Sequence, residues 1–254
     1  MTGATRVRSI LPGLVLCFAL AVPAVAANGA MESQPPSKVN CILVGFAGGF
    51  VRHNNEHHGP VQLAQRLRRE SPAGTYVEVF ENRRRKKAYK TVLRLLDSNH
   101  DGNLSEEEKN QARIILFGHS WGASAVVLLA RELDQVGVPV LLTVQVDSVA
   151  KPWQRDQVIP DNVTAAVNFY QSHGLIHGRS EITAEDETKT QILGNYRFDY
   201  RQHPVQCQAT SWFDRTFTPS HMQSQCDPRI WNQVEDMVRE RIEPAPSLAA
   251  VPGQ

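Results

Sequence analysis

From residue 39 onward, short apolar runs alternate with amphipathic stretches, and that alternation sets the expected fold. Val39–Gly45 (VNCILVG) and Arg113–Phe117 (RIILF) are nearly continuous apolar runs. Such runs are typical of strands buried on both faces. Thr75–Phe80 (TYVEVF), Pro139–Val146 and Asn162–Tyr170 (NVTAAVNFY) read as further strands, with Pro139 at a first position where a missing N–H is tolerated. Helical periodicity predicts helices over Gly59–Glu70, Lys86–Leu96, Ala123–Val136 and Pro228–Ile242. Ala88, Val92, Leu95 and Leu96 share one face, Gly137 suits a C-terminal cap, and Pro228 suits a first turn. Strand and helix taken in turn predict an α/β fold. The expected architecture is a three-layer sandwich, a mostly parallel central sheet with helices on both faces.

The two ends break this pattern. Arg6 and Arg8 precede an apolar Ile10–Leu20, and Ala24-Val25-Ala26 supplies small residues for cleavage. Residues 1–26 therefore read as a signal peptide of an exported protein, periplasmic or secreted. Residues 27–37 read as a flexible leader, 38–243 as the folded domain and 244–254, rich in Pro and Ala, as a disordered tail. Removal of the signal leaves Cys41, Cys207 and Cys226. An oxidising compartment favours pairing, so Cys207 and Cys226, close in sequence and in polar surroundings, are predicted to form a disulfide. Cys41, inside a strand pattern, is predicted to be a buried thiol. The composition, 41% apolar and 21% charged, supplies a large core. A net charge of +1 gives no electrostatic reason to expect nucleic acid or an anionic membrane as partner. No segment after the signal is apolar for long enough to suggest a membrane span.

Between RIILF and the helix pattern at Ala123 stands Gly118-His119-Ser120-Trp121-Gly122. This is G-x-S-x-G in the strand–turn–helix setting that gives the motif its meaning. A serine on so sharp a turn needs neighbours without side chains, and the helix that follows directs unpaired N–H groups at the site. Ser120 is the candidate nucleophile, and the Trp121 amide a candidate oxyanion donor. The second donor is expected in the small-residue turn after the first strand, at the Phe46 amide. A serine nucleophile needs a base and an acid that orients it. Asp147 ends the strand after the elbow helix, at the sheet edge where α/β sites form. Asp156, Asp161 and Glu185-Asp186-Glu187 are rivals in loops. Among the later histidines, His221 lies in a loop just before the final helix, and His173, His177 and His203 stand as alternatives.

The Gly45-Phe46-Ala47-Gly48 turn, the GHSWG elbow and the trailing Asp147 and His221 resemble the α/β-hydrolase superfamily over roughly residues 38–243. The resemblance implies the order serine, acid, histidine, with the histidine just before the last helix, which favours His221. It also implies cleavage of an ester, thioester or related acyl bond through an acyl-enzyme, on a small-molecule or lipid-like substrate and without an organic cofactor. Two positions depart from the common pattern. Val44-Gly45 stands where many members carry His-Gly, and only some members place the acid after the strand that directly follows the elbow helix. A noncatalytic, calcium-stabilised binding protein on the same scaffold is the alternative, because fold alone does not fix function.

Asp97–Glu108 (DSNHDGNLSEEE) fits the loop of an EF-hand. Asp97, Asn99, Asp101, the Asn103 carbonyl, Ser105 and Glu108 are the candidate ligands, with Gly102 at the sharp turn, and their hard oxygens suit Ca²⁺ in a structural role. Ser105-x-x-Glu108 is equally a capping box for a short helix. Three weaker signals remain. Arg83–Lys87 is a basic run, read as a solvated surface. His53, Glu56, His57 and His58 sit beside the oxyanion turn without clear metal-ligand spacing. Trp121, Trp153 and Trp212 are candidates for an acyl pocket or for the core.

Overall fold

A computed structural model of the protein describes residues 39–207 and 218–242. The expected signal peptide, leader and tail, and Trp212, lie outside the described residues. Six strands form a parallel sheet: β1 Cys41–Ala47, β2 Thr75–Glu81, β3 Ile114–His119, β4 Val140–Val146, β6 Val163–Tyr170 and β8 Gln191–Arg197. Their spatial order is β2-β1-β3-β4-β6-β8. A second, two-stranded parallel sheet pairs β5 (Val158–Ile159) with β7 (Thr183–Ala184).

The strands are apolar throughout because the sheet is covered twice. Alternate residues of β1 point to opposite faces. Cys41 and Leu43 pack with α1 (Gly59–Glu70) and with the last helix, α6 (Pro228–Ile242), through Leu63, Leu67, Trp231 and Val234. Ile42, Val44 and Phe46 pack with α2 (Arg85–Leu96) and α4 (Trp121–Asp134), through Val92, Val126 and Leu129. This is the three-layer α/β architecture the sequence implied. Helix α4 lies over the centre of the sheet and is buried on most of its surface, which is why its sequence is apolar nearly all round. It ends at Asp134. Gly137 takes φ 70° and closes the turn with its N–H on the Asp134 carbonyl at 2.9 Å.

The chain runs from β1 outward to β2, then crosses back over β1 to β3. The direction of winding reverses between β1 and β3, and in open α/β sheets the crevice above such a point, at the carboxyl ends of the strands, is where ligands bind. The GHSWG elbow leaves β3 at that crevice.

Several elements differ from expectation. Strand β8 was not legible in the sequence, since it is a half-exposed edge strand, QILGNYR, without an apolar run. His221 lies in a short helix, α5 (Pro219–Ser224), and not in a loop. A five-residue helix, α3 (Glu106–Asn110), carries the Ser105/Glu108 capping box. Cys207 and Cys226 form the expected disulfide with Cα atoms 5.8 Å apart, and Cys41 is a buried free thiol pushed up to about 11 by burial. No helix among the described residues is long and apolar enough to cross a membrane.

Candidate active site

Ser120 sits at the tip of the elbow with φ 57° and ψ −125°. Side-chain-bearing residues rarely adopt this region, and holding one there costs about 1–3 kcal/mol. The fold pins it. The Ser120 N–H donates to the Val146 carbonyl at 2.9 Å, and its own carbonyl accepts from the N–H groups of Ala123, Ser124 and Val149 at 3.0, 3.2 and 3.3 Å. The flanking glycines are steric necessities. A Cβ on Gly118 would lie 2.5 Å from the Gly122 carbonyl oxygen, and a Cβ on Gly122 would lie 2.3 Å from that of Phe46.

The chain brings its other two predicted partners to the serine. His221 Nε2 stands 2.9 Å from Ser120 Oγ, and His221 Nδ1 stands 2.6 Å from Asp147 Oδ2. A carboxylate only accepts, so Nδ1 carries the ring proton, which leaves the Nε2 lone pair to accept the Ser120 hydroxyl. Asp147 directly follows β4, with φ 46°, and is wholly buried. It is held by groups with no local sequence signal. The Gly178 N–H donates to Oδ1 at 2.6 Å, the Gln171 N–H to Oδ1 at 3.2 Å and the Gln171 side chain to Oδ2 at 2.9 Å. Several directed donors substitute for the water a buried carboxylate has lost.

The rival residues are engaged elsewhere. Asp156 pairs with Arg179 at 2.6 Å and accepts from Ser148 Oγ at 2.6 Å, and Asp161 pairs with Lys189 at 2.8 Å. Glu185 faces Arg131, and Asp186 accepts from Thr188. Glu187, His177 and His203 are exposed, and His173 faces Asp199 at 3.4 Å.

Two further imidazoles lie behind the triad. His119 and His58 are buried, and the His119 ring stands 4.8 Å from that of His221 and 5.4 Å from that of His58. Burial, helped by repulsion from His221, pushes His58 down to about 3 and holds His119 well below the usual histidine range. Both are therefore neutral rings. His119 Nε2 lies 3.1 Å from Ser224 Oγ, and that hydroxyl donates to the His221 carbonyl at 2.7 Å. Sequence reasoning assigned neither His119 nor Ser224 a role. His53 pairs with Glu81 at 3.0 Å, while Glu56 and His57 are exposed.

One predicted donor is not placed as expected. Phe46 is paired with Gly118 inside the sheet. The Ile42 N–H donates across to the Arg113 carbonyl, and the two-residue alternation of a strand points the Phe46 N–H the same way, into the ladder with β3. It is not aimed at the serine. The residue that approaches is Gly48, whose Cβ, if present, would lie 2.9 Å from Ser120 Cβ. The Trp121 amide opens α4, where N–H groups have no intrahelical acceptor. A cavity of about 490 Å³ lies on the Asp147 side of the site, lined by Ser148, Val149, Tyr170, His177, Gly178 and Arg179 among others, and neither Ser120 nor Trp121 lines it.

The candidate cation loop closes on its own hydrogen bonds. Asp97 accepts from the N–H groups of Asp101 and Gly102 at 3.2 and 3.0 Å, and Asp101 from that of Asn103 at 2.7 Å. Gly102 supplies the turn with φ 84°. Glu108 accepts from Ser98 and Ser105, and these donors hold its carboxyl down at about 2. Among the described residues no group of three or more His, Cys, Asp or Glu side chains is gathered to hold a metal ion. The basic run is absorbed by the surface, Arg84 on Glu81 and Arg85 on Glu132.

No family model and no curated protein matches the chain. Solved structures do. A structure titled RedJ shares 12% identity over 86% of this chain and 95% of its own, with a TM-score of 0.44. A thermostable esterase from Pseudomonas putida shares 11% over 81% and 75%, with a TM-score of 0.42. A cutinase-like protein from Cryptococcus sp. shares 10% over 81% and 97%, with a TM-score of 0.40. Likeness this distant carries no argument about chemistry, and the functional reading rests on the residues around Ser120.

Proposed function

We propose that this protein is a serine hydrolase that cleaves an ester, thioester or related acyl bond through an acyl-enzyme. The observation that carries the reading is the continuous chain Ser120–His221–Asp147, with contacts of 2.9 and 2.6 Å, set on a strained elbow at the switch point of the sheet. His221 Nε2 takes the hydroxyl proton as Ser120 Oγ bonds to the acyl carbon. Asp147 holds the ring in the required tautomer and stabilises the imidazolium. The carbonyl π electrons move onto oxygen, where the Trp121 N–H and a backbone N–H of the Gly48–Phe50 turn receive the charge. Collapse expels the leaving group, which takes the proton from His221, and water repeats the sequence to release the acid.

The predicted signal peptide and the Cys207–Cys226 disulfide together support an exported protein. Calcium at residues 97–108 is a separate proposal, supported by the ligand spacing and the Gly102 turn, with a clamping role remote from Ser120. The direct test of the hydrolase reading is covalent labelling of Ser120 by a fluorophosphonate.

A further inference from the structure

Four exposed apolar side chains among the described residues stand on loops at the sheet edge that carries Ser120. Among the described residues Trp153 is 100% exposed, Phe50 83% and Leu175 79%, with Ile176 beside Leu175 also exposed. These four are not scattered. Phe50 follows β1, Trp153 follows β4, and Leu175 and Ile176 follow β6, so all leave the carboxyl edge of the sheet, the edge that carries Ser120. Contacts tie the loops to the site. The Phe50 ring meets the Trp121 ring edge-on at 5.4 Å, and the loop bearing Leu175 supplies the Gly178 N–H to Asp147. Trp153 holds φ 72°, a conformation bulky residues rarely adopt, and its side chain is fully in solvent.

Exposed apolar side chains clustered at one face mark a surface that meets something apolar. The charges beside them narrow the choice. Arg52 is two residues from Phe50, and Lys151 and Arg155 are each two residues from Trp153. Arg52 and Arg155 are exposed, and Lys151 lies over the Trp121 ring at 4.7 Å. The acidic residues of the same loops are Glu56 and Glu181, about five or six residues along the chain from the nearest of the apolar side chains, Asp147, buried against His221, and Asp156, buried and paired with Arg179. Apolar side chains flanked by cations complement an anionic lipid surface. The position of these side chains argues the same way. A protein partner seated on them would cover the edge that carries Ser120, whereas a lipid phase that carries the scissile ester would deliver it there.

We infer that the catalytic face docks on an anionic lipid surface through Trp153, Phe50 and Leu175, and that the substrate is an acyl ester drawn from that phase. The substrate clause rests on the hydrolase reading, and the docking clause does not. The experiment uses the full chain in a Ser120→Ala background, so that no lipid is consumed. Vesicles of phosphatidylcholine with about one third phosphatidylglycerol, acyl chains brominated, report any tryptophan that enters the bilayer. Tryptophan emission is expected to be quenched, and the quenching to disappear in Trp153→Leu. With Leu175→Ser added, vesicle affinity is expected to fall at least about tenfold, as loss of two buried apolar side chains requires. On pure phosphatidylcholine the quenching should be weaker. Absence of quenching, or equal quenching in Trp153→Leu, overturns the inference and leaves a protein or polymer as the occupant. Quenching that does not strengthen with phosphatidylglycerol overturns the role given to the cations. Fluorophosphonate labelling of the wild-type chain reads the hydrolase assignment separately, so failure of one is distinct from failure of the other.

Discussion

Gly178 has no chemistry of its own, yet the site depends on its lack of a side chain. A Cβ there would lie 2.3 Å from Asp147 Oδ1, 2.6 Å from Asp147 Cα and 2.7 Å from the Asp147 carbonyl carbon. Two of these contacts are with backbone, so turning the carboxylate away does not relieve them. Opening the shortest to 3.0 Å, the least that real Cβ atoms show, requires a shift of about 0.7 Å. The loop after β6 or the end of β4 must therefore move. The Gly178 N–H hydrogen bond to Asp147, now 2.6 Å, is then stretched and loses part of the about 1.5–3 kcal/mol a bond to a charged group is worth. The carboxylate that orients His221 is displaced by a large fraction of an ångström. Misplacement on that scale costs about a hundredfold in rate. Gly178→Ala is thus predicted to lower kcat/KM about a hundredfold on a soluble ester, mostly through kcat. Asp147→Asn, which disturbs the tautomer itself, should cost more, up to about ten-thousandfold. Gly178 is not in the left-handed region, so backbone strain is no part of the effect. Steady-state kinetics of the two variants, with urea melts to confirm folding, is the assay. A folded Gly178→Ala with unchanged kcat would refute the reasoning, as would a loss confined to KM.

The two buried imidazoles predict acid lability. His58 is held at about 3 and His119 well below its usual value, so folding keeps both neutral while the unfolded chain protonates both near pH 6.5. The contribution is fully present above pH 6.5 and is lost as pH falls towards the folded-state values. With up to two protons taken up on unfolding, stability should fall by roughly 2–3 kcal/mol per pH unit well below pH 6.5, and His58→Phe should roughly halve that slope. Urea melts between pH 7 and 5 test this, and a flat midpoint would sink it. Calcium at residues 97–108 predicts a melting temperature that rises with added Ca²⁺ and falls with chelator, an effect lost in Glu108→Gln. A melt indifferent to both rules the clamp out.

How much of this was legible in the sequence depended on whether the signal was local. Helices Gly59–Glu70 and Pro228–Ile242 have the expected bounds, because a stripe of Val61, Leu63, Ala64 and Leu67, or of Ile230, Val234 and Val238, is a periodic signal in its own right. The elbow was legible because strand, turn and helix are contiguous. Asp147 was found through its place at a strand end. What grips it was not, since Gln171 and Gly178 reach it only once β6 lies beside β4. The Phe46 amide was misassigned because the direction of a strand N–H is set by register with a neighbour, and register is not written in one strand. The short helix bearing His221, less than two turns long, is below the length at which periodicity speaks. His119 and His58 look like polar residues of a turn and a loop, and only the packing of α5 and α6 over them makes them buried and neutral.

The central claim is that Ser120 is a nucleophile made reactive by His221. The most direct measurement is intact-mass and peptide-level detection of the adduct formed with a fluorophosphonate. One adduct per chain is predicted, located on Ser120, absent in Ser120→Ala and slowed at least about a thousandfold in His221→Ala. A correctly folded wild-type chain that forms no adduct, or an adduct that persists in Ser120→Ala, would contradict the account.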